Sequence, residues 1–284
     1  MSARRTTTLL ATVLLALAAV AATAYAATII GNDNPNILTG TPEDDSIEAK
    51  AGDDTINALG GNDLINAGPG NDTVDAGDGN NTVDGGPDND SIVAAGGDDS
   101  IVGGEGNDTV NAGDGNNTVD GGPGDDDLNT LIGFDQVSGG DGNDVLRGGK
   151  NGDTLLGQGG NDEVLGQEGD DTMWGGEGDD NLRGGADTDT VYAGAGADRL
   201  FGGPGNDHLV ALASVDVSLP GGDAIRAGRG NDVIRVRDGE ADHVLCGPGK
   251  DVVYADFHDK IKQNCEIVKR GRPRAGADSE EISH

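Results

Sequence analysis

From Gly40 to Val210 an aliphatic residue or methionine recurs at every ninth position, beginning Ile47, Ile56, Ile65 and Val74 and ending Leu200 and Leu209. Each is flanked by residues that are mostly polar, as in Thr73-Val74-Asp75. Alternation over three residues fits a short strand with one side chain inward and two outward, and it does not fit the 3.6-residue helical period. Between these triplets lie runs of the form G-G-x-G, such as Gly103-Gly104-Glu105-Gly106. Glycine at the first, second and fourth places of a nine-residue unit predicts a tight turn with positive φ. The pattern therefore predicts an all-β chain of three-residue strands joined by glycine turns.

The repeat holds without insertion for 19 blocks, from GTPEDDSIE at 40–48 to GGPGNDHLV at 202–210. Such a fixed period marks a solenoid or array. The sixth position of the block is as regular as the eighth. It is Asp45, Asp54, Asp63, Asp72, Asn81, Asp90, Asp99, Asp108, Asn117, Asp126, Asp135, Asp144, Asp153, Asp162, Asp171, Asp180, Asp189, Asp198 and Asp207. Both asparagines fall in the repeated segment NDTV[DN]AGDGNNTVDGGP, at 71–87 and 107–123. A duplicated four-block unit carrying its asparagine accounts for the coincidence.

Composition complicates this picture. Residues 1–26 carry Arg4 and Arg5, an apolar run at 9–22, and Ala24-Tyr25-Ala26, which reads as a secretory leader cut after Ala26. Without it the chain keeps 16 Lys and Arg against 52 Asp and Glu, a net charge of −36. Aromatics are 2% of the residues. A scarcity of aromatics with high net charge is the signature of disorder, but disorder requires no strict register. One aliphatic side chain per block contributes about 1.5–3 kcal/mol. That does not offset ordering nine residues at about 1–2 kcal/mol each, so a further stabilising interaction is required. Nucleic acid is excluded as a partner, because phosphate binding rests on Lys and Arg.

At this point the chain resembles the RTX, or hemolysin-type, calcium-binding nonapeptide repeat family, whose pattern is G-G-x-G-x-D-x-U-x with U aliphatic. The resemblance implies a right-handed parallel β-roll with two blocks per coil. It also implies calcium ions shared between sixth-position residues 18 apart and turn carbonyls. Hard oxygen ligands around Ca²⁺ would turn metal-binding energy into folding energy. The turns then alternate between two edges. One carries Asp45, Asp63, Asn81 and onward to Asp207; the other carries Asp54, Asp72, Asp90 and onward to Asp198. Counting intact Asp–Asp intervals gives roughly 13 ions, and about 17 with the weakened intervals at Asn81 and Asn117, where an oxygen remains but a charge is lost.

Residues 27–39 form a lead-in with an imperfect first block that holds Asn36. Residues 211–217 break the register, and Asp223, Asp232 and Asp251 recover it within degenerate coils and a cap at 211–268. A cap is expected because the last coil of a solenoid exposes core and sheet edge. Cys246 and Cys265 are the only cysteines. In an exported chain they suggest a disulfide; the alternative is a zinc site formed with His243 and His258. Residues 269–284 read as a disordered tail. The ninth position, polar early in the chain, becomes Leu156, Trp174, Tyr192 and Val210, which predicts an exposed apolar stripe.

No H-E-x-x-H, G-x-S-x-G or G-x-x-x-x-G-K-[ST] motif is present, and the paired aspartates are explained by their period as metal ligands. The expectation is a secreted, non-catalytic calcium-binding repeat protein with a structural or adhesive role and no membrane span after the leader. The alternative is a calcium-dependent binder of a cell-surface glycan or protein through the outward face. Some calcium-dependent rolls that bind ice carry Thr at turn position three; here Pro69, Asp78, Pro87 and Glu105 stand there, which argues against ice.

Overall fold

The computed structural model describes residues 25–211, 222–262 and 264–272. The leader up to residue 24, the excursion at 212–221 and the tail from 273 lie outside the described residues. The chain winds as a parallel β-solenoid of about 13 turns with two strands per turn. Its 27 described strands fall alternately into one sheet of 14 and one of 13. Every neighbour pair is parallel, and through the regular part the partners are 18 residues apart, as in Thr82↔Ser100 and Val145↔Glu163. The two-block coil and the all-β architecture agree with the periodicity.

Strand length differs from expectation. The strands are three residues long at the start, as at Ser46–Glu48, but six residues through most of the roll, as at Thr82–Pro87 and Thr154–Gly159. In these the first three turn residues continue the ladder with the next coil, as in Gly86↔Gly104. The core is correspondingly wider than one residue per block. The eighth-position residues Leu128, Leu146, Leu182 and Leu200 are fully buried, and so are the first-position alanines Ala49, Ala58, Ala67, Ala76, Ala112 and Ala193.

Positive φ is confined to the second and fourth turn positions, for example 122° at Gly104 and 136° at Gly106. The first position is glycine for space. A Cβ on Gly121 would lie 2.3 Å from Asp126 Oδ2 and 2.6 Å from the Gly139 carbonyl oxygen. Leu59 occupies a second position at φ 81° while 44% exposed. Left-handed backbone costs a residue with a Cβ about 1–2 kcal/mol. Leu59→Gly is therefore expected to stabilise the calcium-loaded roll by about 1 kcal/mol, read as a raised midpoint in thermal unfolding.

Past the excursion both edges resume. Asp223 aligns with Asp198 and Asp232 with Asp207, each 25 residues on rather than 18, so the extra seven residues are absorbed within a single coil. The degenerate end contributes strands Ala224–Arg229, Val233–Val236, His243–Leu245, Val252–Ala255, Lys260–Ile261 and Ile267–Arg270. Cys246 and Cys265 are joined as a disulfide, with Cα atoms 5.3 Å apart. That overturns the zinc alternative, since both thiols are consumed. His243 instead approaches Lys260, and His258 pairs with Asp256.

Candidate metal ladders

The sixth position follows the glycine turn and immediately precedes the inward triplet. Its side chain therefore points under the turn, and every aspartate from Asp45 to Asp207 in this column is buried. The column is hydrogen-bonded coil to coil. Up to Asp189 the main-chain N–H of each sixth residue donates to Oδ1 of the residue 18 further on, at 2.6 Å for Asp54 to Asp72 and 3.1 Å for Asp189 to Asp207. Oδ1 is thus used. Oδ2 is buried without a partner at Asp54, Asp63, Asp72, Asp90, Asp99, Asp108, Asp126, Asp135, Asp144, Asp153, Asp162, Asp171, Asp180, Asp189, Asp198, Asp207 and Asp232. A buried polar atom without a partner is costly, and here the cost repeats along both edges.

The two asparagines show what Oδ2 faces. Asn81 and Asn117 keep the ladder bond, since their Oδ1 atoms accept the N–H of Asp63 and Asp99 at 3.0 Å. Their amide nitrogens donate to main-chain carbonyls of the same turn, Asn81 to Gly79 at 3.0 Å and Gly77 at 3.4 Å. Asn117 does the same with Gly115 at 3.2 Å and Gly113 at 3.4 Å. Asn36 repeats the arrangement with Asn32 and Asn34. Carbonyls of the second and fourth turn positions therefore converge on the place that Oδ2 takes in an aspartate turn. Oxygens facing oxygens require a positive group between them. Asparagine supplies an N–H; aspartate leaves a site for a cation with hard oxygen ligands, the donor set calcium takes. Among the described residues no three His, Cys, Asp or Glu side chains converge on a metal site, so a bound ion draws on main-chain oxygens as well.

Burial without a counter-ion disfavours the charged carboxylate. Desolvation, reinforced by neighbouring aspartates, pushes Asp72 up to about 6, Asp90 and Asp126 to about 7, and Asp180 and Asp189 to about 8.

The ladders extend into the cap further than the sequence indicated. Asp223 N–H donates to Asp242 Oδ1 at 2.8 Å, Asp232 N–H to Asp251 Oδ1 at 3.0 Å, and Asp251 N–H to Glu266 at 2.9 Å. Desolvation, with Asp238 adding, lifts Asp242 to about 9. Asp242 was missed because the 19-residue steps here break the nine-residue frame. Its signal was the pair Asp242-His243 ahead of the inward Val244.

A second ladder lies outside the first. Fifth-position side chains accept N–H groups from the following coil, as in Asn107 N–H to Asn89 Oδ1 at 2.7 Å and Asn161 N–H to Asn143 Oδ1 at 2.9 Å. This explains why Asn and Asp recur there, and its bonds run opposite to those of the buried ladder.

The apolar stripe also forms, but only Trp174 is exposed, while Leu156, Tyr192 and Val210 are half-buried. Leu156, Trp174, Tyr192 and Val210 are register partners on the 14-stranded sheet. Trp174 and Tyr192 are stacked, 5.2 Å between centroids and 10° between planes, so each ring covers one face of the other.

A family model described as RTX calcium-binding nonapeptide repeat (4 copies) matches in overlapping stretches from residue 30 to 209 and again over 219–240. No curated protein matches the chain. Among solved structures, the chain is similar to one titled as a hyperactive, Ca²⁺-dependent, beta-helical antifreeze protein from an Antarctic bacterium. Identity is 20%, coverage is 83% of each chain, and the TM-score is 0.44.

Proposed function

The chain belongs to the RTX calcium-binding nonapeptide repeat family, and from that premise we propose that it is a secreted roll that folds on calcium and serves as a structural or adhesive extracellular module. The observation that carries this reading is the file of buried Oδ2 atoms without partners, continuous from Asp54 to Asp198 on one edge and interrupted by Asn81 and Asn117 on the other, where the amides mark the turn carbonyls. The proposed ligands are the sixth-position aspartates, extended to Asp223, Asp232, Asp242 and Asp251. Roughly 13 to 17 ions fit the Asp–Asp intervals of the regular roll, one per shared pair of turns. Export supports the reading, because calcium is abundant outside cells and sites of this class bind at about 10⁻⁴–10⁻³ M. The first strand, Thr28–Ile30, begins just after the expected cleavage point at Ala26. The roll carries no catalytic motif, and its sixth-position carboxylates are committed to the ladders.

A second reading, in which the outward face binds a ligand, is favoured by the Leu156–Trp174–Tyr192–Val210 stripe. Each ring covers one face of the other, which suits an apolar protein surface better than a sugar stacked on an open ring face.

The experiment is a calcium titration followed by far-UV circular dichroism and calorimetric stoichiometry. A cooperative transition from coil to β supports the proposal, and a β signal indifferent to calcium overturns it. Two variants refine it. Asn81→Asp and Asn117→Asp each remove an amide that closes a turn without metal. Each is expected to raise the stoichiometry and to make the roll more dependent on calcium. Unchanged stoichiometry would show that these turns already hold ions.

A further inference from the structure

Two irregular features lie along one corner of the roll, where the outer face of the 13-stranded sheet turns into the edge that carries Asp135 and Asp207. The first is a knob. The block at 130–138 has Leu131 and Ile132 where glycine and a polar residue are usual, and Phe134 where Asn or Asp is usual. All three are exposed, Phe134 by 66%. The second is a pocket of about 330 Å³ lined by Pro204, Leu245 and Pro248, with Arg226 and Arg229 among its walls. Ile132 and Arg229 both occupy the third turn position of that edge. The row runs Asp114, Ile132, Lys150, Glu168 and Ala186, and then Pro204 and Arg229, by strand register. Knob and pocket therefore face the same way, five coils or about 24 Å apart.

Charge is divided along the same axis. Residues 27–144 hold 26 acidic residues and a single cation, Lys50, for a net −25. Residues 145–284 hold 26 acidic and 15 basic residues, for a net −11. Phe201, beside the pocket, lies between the guanidinium groups of Arg183 and Arg226, each 5.6 Å from the ring centroid. Among the described residues Arg226 and Arg229 have no carboxylate partner, whereas Arg147, Lys150 and Arg183 do.

We propose that the occupant of the pocket is a second copy of this chain, packed antiparallel about a two-fold axis, with the Leu131–Ile132–Phe134 knob of each protomer seated in its partner's Pro204–Leu245–Pro248 pocket. A knob and a socket on one face at a fixed spacing satisfy each other reciprocally under a two-fold, which makes an isologous, closed interface. The same operation keeps the two strongly acidic halves apart, each lying along the less acidic half of the other copy. It brings Asp114, one coil from Ile132, to the side of the partner that carries Arg229. A specific interface needs about 800 Å² per protomer, so the contact takes in the corner between knob and pocket as well as the two features themselves. The open-ended alternative, a head-to-tail stack, would leave both features exposed.

The test is sedimentation equilibrium of the calcium-loaded chain, with circular dichroism establishing that each sample is folded, so that a failure of calcium folding is seen separately. A dimer is expected. Phe134→Asp and Arg229→Glu, both at solvent-facing positions, are each expected to weaken it at least tenfold without altering the β spectrum. Mixing Ile132→Cys with Arg229→Cys is expected to give an intermolecular disulfide that forms far less in either variant alone. A folded chain that stays monomeric up to about 100 µM, a dimer indifferent to Phe134→Asp, or mass growing without limit would each overturn the proposal.

Discussion

Withdrawing calcium at pH 7.5 is expected to convert the β spectrum to that of a coil, and bringing the metal-free chain to about pH 5 is expected to restore much of it. The buried ladder is the cause. Burial and neighbouring carboxylates lift Asp72 to about 6, Asp153 to about 7, and Asp180, Asp189 and Asp223 to about 8. An unfolded aspartate titrates near 3.9. A raised folded-state pKa means that the metal-free fold binds more protons than the coil. The stability from these groups is fully present below about pH 4 and is lost as pH rises through about 6 to 8. As pH rises past 7 the metal-free roll accumulates buried anions, first at groups such as Asp72 and then at Asp180 and Asp189, and opens. At pH 5 protons take the part of the cation. With calcium present the sign reverses, because the ion binds the carboxylate and acid competes with it, so the calcium midpoint rises as pH falls. Circular dichroism of chelated, desalted protein from pH 5 to 8, with and without calcium, checks both limbs. A metal-free β signal that does not change across that range would show that the core alone holds the roll.

The second large effect is steric. Gly140→Ala is expected to cost about 2–4 kcal/mol, whereas Gly121→Ala is expected to cost roughly 1 kcal/mol. Gly140 sits at φ 118°, and a Cβ there would lie 1.9 Å from the Gly122 carbonyl oxygen. Both the backbone conformation and a rigid neighbour oppose it. Gly121 has no positive φ, and although its added Cβ would meet Asp126 Oδ2 and, at 2.6 Å, the Gly139 carbonyl oxygen, the coil spacing at this turn position adapts to a methyl group elsewhere in the roll. Alanine already fills that turn position at Ala67, Ala76 and Ala112. Coils contact only their neighbours, so a break at one coil divides the array. Gly140→Ala is therefore expected to split the calcium transition into two steps, and Gly121→Ala to leave one. Equal midpoints for the two variants would mean that the second-position φ does not limit the turn.

Particular columns explain how much could be read beforehand. The eighth and sixth positions were legible because each repeats one chemical demand: an inward side chain, or an oxygen beneath the turn. The outer ladder at Asn89 and Asn107 was not, because its reason lies in an N–H one coil away, invisible within a block. The glycine rule was half right. It holds at Gly104 and Gly106 but not at Gly121, where proximity to Asp126 rather than φ selects the small residue. The six-residue strands were missed for a related reason. Gly86 and Gly104 look like turn residues until stacked coils pair them. Asp242 and Glu266 escaped because irregular steps remove the frame that identified their counterparts.

The Cys246–Cys265 bridge has a mechanical meaning. Under tension between its ends the roll yields like a zip whose pull-tab is the first strand, Thr28–Ile30, because the opposite end is riveted. Each coil that peels releases an 18-residue length, as between Thr82 and Ser100, or about 60 Å of slack. The force needed rises with the calcium held in that coil. The turns at Asn81 and Asn117 keep an amide contact when ions are lost. With less calcium to release, those coils are expected to yield at lower force than their neighbours, so the molecule gives way in steps and rewinds from the riveted end when the load falls.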